Sequence, residues 1–478
     1  MKCKVLVLCS FIWLFGYGCW SVKEAETVSP ELIPIIKTAL FDTTSVFFGD
    51  FGNYPGNLDS APVGIFDSGT GGLTVLEAIV TFDMYNNLTG EEGPDGVNDF
   101  AGESFVYLAD QANMPYGNYA AEHKTDFLRE LIIQDVLFLM GKRVKSIVVA
   151  CNTATATGMD DIHTLLEVSG TGVSVSGVIH AGVKGALESL NKEESGAIGV
   201  MATVGTIQTE GYELTIKEMA KELGYTGSLQ VVNQPAMGFA ESVDEEPDFV
   251  SRTATRPRSN YRGPSLDHPE YPIDPQILDV YHFNFSNNGM LYEGASGAYT
   301  QLQLNSAQNY ARYHLMSLLE KLRTSPDPLP LKVLIMGCTH YPYYKETLSE
   351  MLYELRDYQI NGNFPYRDII AEEVVLVDPA VNTAKALYQL LHEQKIYATE
   401  NVDTKADFYI TIPNSDLPEV MLESQRRFTY DYKYGRNPGT LKEYVQIVPF
   451  SANNLDEEIL KRFRTTIPTT FSLIHDLH

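Results

Sequence analysis

Cysteine is scarce in this chain, and so is positive charge. Of five cysteines in 478 residues, Cys3, Cys9 and Cys19 stand near the amino terminus, and only Cys151 and Cys338 are left for the body. Two lone thiols make no disulfide framework, and neither has the CxxC or Cys/His spacing that builds a metal site. Lys and Arg number 35 against 62 Asp and Glu, a formal net charge of −27. That balance argues against nucleic acid as a partner, because such binding needs clustered cations. The apolar stretch 5–15 is too short to span a bilayer. The glycine turn at 69–72 lacks the Gly-Lys-Ser/Thr of a phosphate loop. The acidic, Gly-rich stretch 84–103 lacks EF-hand spacing and reads as a solvated surface insertion.

What is present points to more than one domain, given the length and a hydrophobic fraction of 44%. Residues 1–19 read as a targeting segment: Lys2 and Lys4, then the apolar stretch, then Gly16-Tyr17-Gly18 before Cys19. A cysteine there resembles a bacterial lipoprotein signal with Cys19 acylated, although Gly16 stands where Leu is usual. On that reading the protein is periplasmic or membrane-anchored; without a working signal it is cytoplasmic. Residues 20–60 read as an irregular lead-in and 451–478 as an unassigned tail.

Between them runs a β-α-β-α rhythm, which calls for parallel sheets with right-handed crossovers. Apolar strands are expected near 63–66, 105–109, 147–150, 174–179, 197–201, 229–232, 333–337, 374–377, 407–411 and 444–448. The rhythm stops at 243–305, an inserted subdomain or a lid. Two stretches share one plan. Residues 147–156 read IVVACNTATA and residues 333–342 read VLIMGCTHYP. Each is an apolar run ending in a cysteine and small polar residues, and ligands bind at such strand ends in open α/β sheets. A lone free Cys is commonly a buried apolar filler. Two at matching strand ends suit another use: thiols on opposite faces of one carbon, one removing a proton and the other delivering one. Asp67 and His340 could adjust their protonation. Ser68, Asn152, Thr153 and Thr339 could hold a zwitterion.

The segments VGIFDSGTGGLTVL (63–76), VYLADQANMPYG (106–117), VVACNTATA (148–156), IGVMATVGTIQTEGYE (198–213) and MGCTHYP (336–342) make the chain resemble glutamate racemases of the aspartate/glutamate racemase superfamily over roughly 61–450. The resemblance implies an α/β fold of two doubly wound parallel-sheet lobes related by a pseudo-twofold axis, with the active site in the cleft between them. The expected division is lobe one at 61–172, completed by 357–450, and lobe two at 173–356. The resemblance also implies interconversion of L- and D-glutamate without cofactor or metal, by two-base proton transfer at Cα, supplying D-glutamate for peptidoglycan. Cys151 and Cys338 match the catalytic thiols, the first serving the D-enantiomer and the second the L-enantiomer. Asp67 and His340 match their assistants. Ser68, Pro115, Tyr116, Gly117, Asn152, Thr153 and Thr339 match substrate-binding positions, and Thr203, Thr206 and Glu241 are further candidates.

Ala202 replaces a usual Gly, Gln234-Pro235 stands where Cys-Pro is common, and the insertion 243–305 would cover the cleft or build an oligomer contact such as a homodimer. The alternatives are an aspartate or broader amino-acid racemase and an exported amino-acid-binding lipoprotein without turnover. Neither involves nucleic acid. His340 and the first glycine motif favour glutamate over aspartate.

Overall fold

The computed structural model describes residues 32–474 apart from 244, 399–403, 425–426, 452–453 and 456. The targeting segment and Cys19 lie outside these residues. Among the described residues no helix is long and apolar enough to cross a membrane.

Along the chain, β1 (Val63–Asp67), β2 (Ser104–Ala109), β3 (Ser146–Val149) and β4 (Ser174–Gly177) come first. Next are β5 (Gly196–Ala202), β6 (Leu229–Pro235), the hairpin strands β7 (Met290–Ala295) and β8 (Ala298–Leu304), β9 (Leu331–Gly337) and β10 (Ile370–Val377). The chain then returns with β11 (Lys405–Pro413), the short pair β12 (Leu422–Ser424) and β13 (Arg427–Phe428), and β14 (Val445–Pro449).

Two sheets result, ordered β14-β11-β2-β1-β3-β4 and β10-β9-β5-β6. All pairings in them are parallel except the edge pair β11–β14. The centres are apolar on both faces: β1 and β3 are buried at every residue, as strands covered by helices on both sides must be. The four-strand unit repeats. Side by side, the first sheet carries β2-β1-β3-β4 and the second β6-β5-β9-β10. In each lobe the order is second, first, third, fourth, and each body cysteine follows the third strand. This two-lobe α/β architecture is the one expected from the sequence.

The lobe boundaries move. The sequence division puts 174–177 in lobe two, but Ser146↔Ser174 through Val149↔Gly177 place β4 on the first sheet. It puts 370–377 in lobe one, but Val375↔Val333 and its neighbours place β10 on the second. Pairing partners, which no single strand's composition reveals, decide membership. The chain crosses between lobes at helix Val178–Glu188 and returns at helix Pro379–Gln394. These two helices touch where Gly185 faces Asn382: a Cβ at Gly185 would lie 2.1 Å from Asn382 Oδ1.

Described parts of the lead-in, expected to be irregular, and of the unassigned tail form helices. Helix Pro34–Phe41 buries Ile35, Ile36 and Ala39 completely, with Ile35 and Ile36 in one core with Leu128 and Ile132. Tertiary packing rather than helical propensity holds so short a helix. Helices Glu457–Thr466 and Pro468–Ser472 bring Phe463, Ile467 and Phe471 against Leu76 and Ile79. The Glu77 carboxylate accepts from the Thr469 and Thr470 amides at 3.2 and 2.6 Å, capping the first turn of helix Pro468–Ser472. The insertion 243–305 is an inserted subdomain. Its Ile273, Tyr281 and Leu302 share the core of helix Ala307–Thr324, which buries most of its length.

Candidate active site

The site is built at the carboxyl ends of β1, β3, β5 and β9. At the end of β1 the chain turns through Ser68–Gly72, and the Asp67 carboxylate folds back on that turn. It accepts from the Gly72 amide at 2.9 Å and the Gly69 amide at 3.3 Å. Burial raises its pKa above the ordinary carboxylate value, against the lowering from these amides, from Ser68 and from His340. The last of these comes from lobe two, so the Asp67 carboxylate feels a charge from across the cleft. A Cβ at Gly71 would lie 2.8 Å from Thr339 Oγ1, 3.2 Å from His340 Cε1 and 3.6 Å from Asp67 Oδ2. Only a residue without a side chain lets the β1 turn approach the β9 end this closely.

Cys151 caps helix Asn152–Ser169, its Sγ accepting from the Ala154 amide at 3.4 Å while the thiol points at Ser68 Oγ, 3.6 Å away. Burial pushes the thiol up to about 12, and the Asp67 charge adds to the rise over the two amide bonds and the Ser68 hydroxyl. The thiol therefore carries its proton at neutral pH. The folded protein keeps this proton where an ordinary thiol, at 9.0, gives it up. The associated stability is thus full below about pH 9 and is lost as pH rises toward 12. Iodoacetamide at pH 8 should alkylate Cys151 at least ~10-fold more slowly than a free cysteine, since the thiolate is the nucleophile. Peptide mapping of the time course checks this.

Cys338 lies one residue beyond β9, with Sγ 3.6 Å from His340 Nδ1. The Thr339 hydroxyl approaches the same nitrogen at 3.5 Å. Behind the thiol, the Tyr341 hydroxyl donates to Ala236 O at 3.4 Å, and burial and the Cys338 charge suppress its ionisation. Its ring stacks on Phe239, with centroids 4.3 Å apart and planes at 14°. Both thiols are buried, at 6% and 8% exposure.

Cross-lobe contacts bring the two ends together. Tyr212, in lobe two, donates to Asn152 Oδ1 at 2.8 Å, and burial and the charges of Cys338 and Asp378 suppress its own ionisation. It therefore stands beside the residue following one cysteine and within the field of the other. Thr153 and Thr206 hydroxyls meet at 3.5 Å, and Thr206 is bonded to Thr203 at 2.9 Å. Gly117 and Gly205 touch backbone to backbone: a Cβ at Gly205 would lie 2.4 Å from Gly117 Cα. Gly205→Ala should therefore wedge the lobes, costing about 1–3 kcal/mol in a urea titration and lowering any activity that needs the closed cleft.

Not every residue anticipated from the sequence faces this cleft with its side chain. The Tyr116 hydroxyl is committed elsewhere, to Asp110 at 2.6 Å and Asp135 at 2.7 Å. Only the main chain of Tyr116 is left for a ligand, because the ring is buried with Tyr119 and Phe127. Pro115 follows a cis peptide in the same loop. Glu241 sits on helix Phe239–Val243, where its charge bears on Tyr341 and Tyr310. It thus stands behind Tyr341. Sequence reasoning passed over the tyrosines that back the site. Tyr107 donates to Gly69 O at 2.8 Å in the field of Asp67 and Cys151. Tyr212 and Tyr341 lie inside segments already singled out. The tail also contributes: Arg462, Phe463, Thr466 and Ile467 wall a crevice together with Thr70, Gly71, Thr339 and His340.

No family model matches the chain. Curated relatives do. A glutamate racemase of Streptococcus agalactiae is 36% identical over 163 residues, covering 34% of this chain and 51% of that protein. The chain thus spans about half the length of that relative. A glutamate racemase of Lactobacillus johnsonii is 24% identical over 369 residues, covering 76% of this chain and 93% of that protein. Among solved structures, a glutamate racemase isoform of Bacillus anthracis has a TM-score of 0.44 and 22% identity, covering 73% of this chain and 88% of that one. Glutamate racemases are what this chain is similar to, as its motifs indicate.

Proposed function

We propose that this chain, similar to glutamate racemases over three quarters of its length, interconverts L- and D-glutamate by proton transfer at Cα between Cys151 and Cys338. One observation carries this reading. Two buried thiols follow the third strands of two equivalent four-strand units, each with its own titratable neighbour, Asp67 for Cys151 and His340 for Cys338.

The proton balance fits the geometry. With L-glutamate, the Cys338 thiolate takes the Cα proton and becomes a thiol. The Cys151 thiol delivers its proton to the opposite face and becomes a thiolate, and D-glutamate results. A protonated Cys151 is the form this direction needs, and burial favours that form in the free protein. Proton exchange with solvent resets the pair. In this reading His340, 3.6 Å from Cys338 Sγ, carries a proton to and from that thiol, and Asp67, whose charge acts on Cys151, does the same there. The hydroxyls of Ser68, Thr153 and Thr339 and the Asn152 amide supply donors for the substrate carboxylates. The amino terminus of helix Asn152–Ser169 adds a favourable dipole. Cα acidity is raised when those carboxylates are neutralised, which is electrostatic work for preorganised donors. In a bacterial cell such a product would enter cell-wall peptide synthesis.

Optical rotation tests this. Reduced protein should bring L-glutamate and D-glutamate to the same racemic end point, with L-aspartate at least about tenfold slower, the discrimination a one-methylene difference supports. A folded protein that leaves both glutamate enantiomers unchanged overturns the reading. Faster turnover of aspartate reassigns the substrate.

A further inference from the structure

A second site lies outside the cleft. A cavity of about 670 Å³ opens beside helix Thr125–Gly141, within the size range of small-molecule pockets. Neither cysteine lines it, nor does any residue placed beside them above. Its buried acids are Asp110 and Asp135, 1% and 4% exposed. Half-buried rings of Phe47, Phe51 and Phe138 supply its apolar wall.

The protons on these groups can be counted. Tyr116 has one hydroxyl proton yet lies 2.6 Å from Asp110 and 2.7 Å from Asp135. Two such short contacts need a second proton on one of the acids. Asp110 is the better anion, since it also accepts from Thr411 Oγ1 at 2.8 Å and Asn113 Nδ2 at 2.9 Å. Asp135 therefore holds the proton, consistent with burial and the Asp110 charge raising its pKa. Beside it, Gln134 Nε2 is buried with no acceptor. Arg143, a cation on the lining, is occupied by Asp50, bonding its carboxylate at 3.0 Å and its carbonyl at 2.8 Å. Besides the exposed Asp50 and Glu443, the cavity thus offers one buried carboxylate, one buried carboxylic acid that a cation can ionise, one unused amide donor, and aromatic faces that attract cations.

We propose that this cavity binds a primary amine carried on an apolar body, with the ammonium at Asp110 and Asp135 and a neighbouring acceptor oxygen at Gln134 Nε2. Binding an ammonium there lets Asp135 release its proton to solvent and pair as a carboxylate. The phenylalanine rings take the apolar body.

Calorimetric titration of the full, reduced protein with L-phenylalaninamide tests this, with 3-phenylpropanamide as the control that lacks only the amine. The amine should bind saturably at one site, with the control at least about tenfold weaker, a difference of about 1.4 kcal/mol. Asp135→Asn can still donate to the Tyr116 oxygen but cannot become an anion, and it should weaken the amine at least tenfold. Gln134→Leu, which changes no charge, should weaken it severalfold and serves if the first variant fails to fold. Absence of saturable binding, equal binding of the control, or undiminished binding to both folded variants overturns the proposal. A protein that binds the amine without racemising glutamate contradicts the preceding subsection only; a racemase that ignores the amine contradicts this one only.

Discussion

Replacing Cys151 with Ala is expected to abolish interconversion of the glutamate enantiomers, and Cys338→Ala should do the same, each lowering kcat by at least about 10³. General acid–base groups contribute about 10²–10⁴ each, and here neither has an understudy. Asp67 is buried and already accepts from two amides, and Ser68, 3.6 Å from Cys151, cannot supply a base. The double variant should be little worse than either single one, because in the proposed mechanism both thiols serve a single proton relay and such losses do not add. The folded state should survive, since Cys151 and Cys338 each lose one sulfur from a well-packed wall. Circular dichroism and a thermal melt alongside the assay separate lost chemistry from lost structure. Full activity in either variant would contradict the two-thiol account.

A stability prediction of comparable size concerns Lys145. Its ammonium is fully buried and lies 2.6 Å from Glu103, itself 5% exposed. It also donates to Asp59 O at 2.9 Å and Ile396 O at 2.8 Å. The other Glu103 oxygen accepts from the Ala398 amide at 2.7 Å. One ion pair thus ties the residue before β3 to the lead-in, to the edge of the 84–103 insertion and to the segment after helix Pro379–Gln394. Lys145→Ala would leave a buried carboxylate and two carbonyls without their donor, and should cost about 3–5 kcal/mol. Replacing both partners, as Lys145→Met with Glu103→Leu, should cost less than Lys145→Ala because no charge is stranded. Urea titration of the three proteins decides. Equal stability of Lys145→Ala and the unaltered protein would contradict this reading.

The strands that carry the thiols were legible because a strand covered on both faces must read as an unbroken apolar run, and β3 and β9 do. The glycine turn after β1 was legible for a similar reason: Gly71 and Gly72 stand where any side chain would strike Thr339 or Asp67. Sheet membership was not legible. β4 and β10 look like the opening strands of the lobe that follows, and only hydrogen-bonded pairing shows that each completes the sheet of the strand before it, β3 or β9. Helix Pro34–Phe41 escaped notice because its Ile35 and Ile36 favour strands by propensity and become helical through burial against helix Thr125–Gly141. Tyr116 was identified by its motif, but its hydroxyl partners are Asp110, six residues before, and Asp135, nineteen residues on, so the motif alone could not reveal that the side chain is committed away from the cleft. The tail's part in the cleft wall was equally hidden, because Arg462 and Phe463 reach it only through the fold.

The most direct test of the two-base account is early-time racemisation of L-glutamate in deuterium oxide, with mass spectrometry of both separated enantiomers. Abstraction by one thiol and delivery by the other predicts that the first D-glutamate formed carries deuterium at Cα while the remaining L-glutamate keeps protium. Deuterium accumulating in L-glutamate ahead of product would mean that one base acts on one face and returns the proton there, and would contradict the roles given to Cys151 and Cys338.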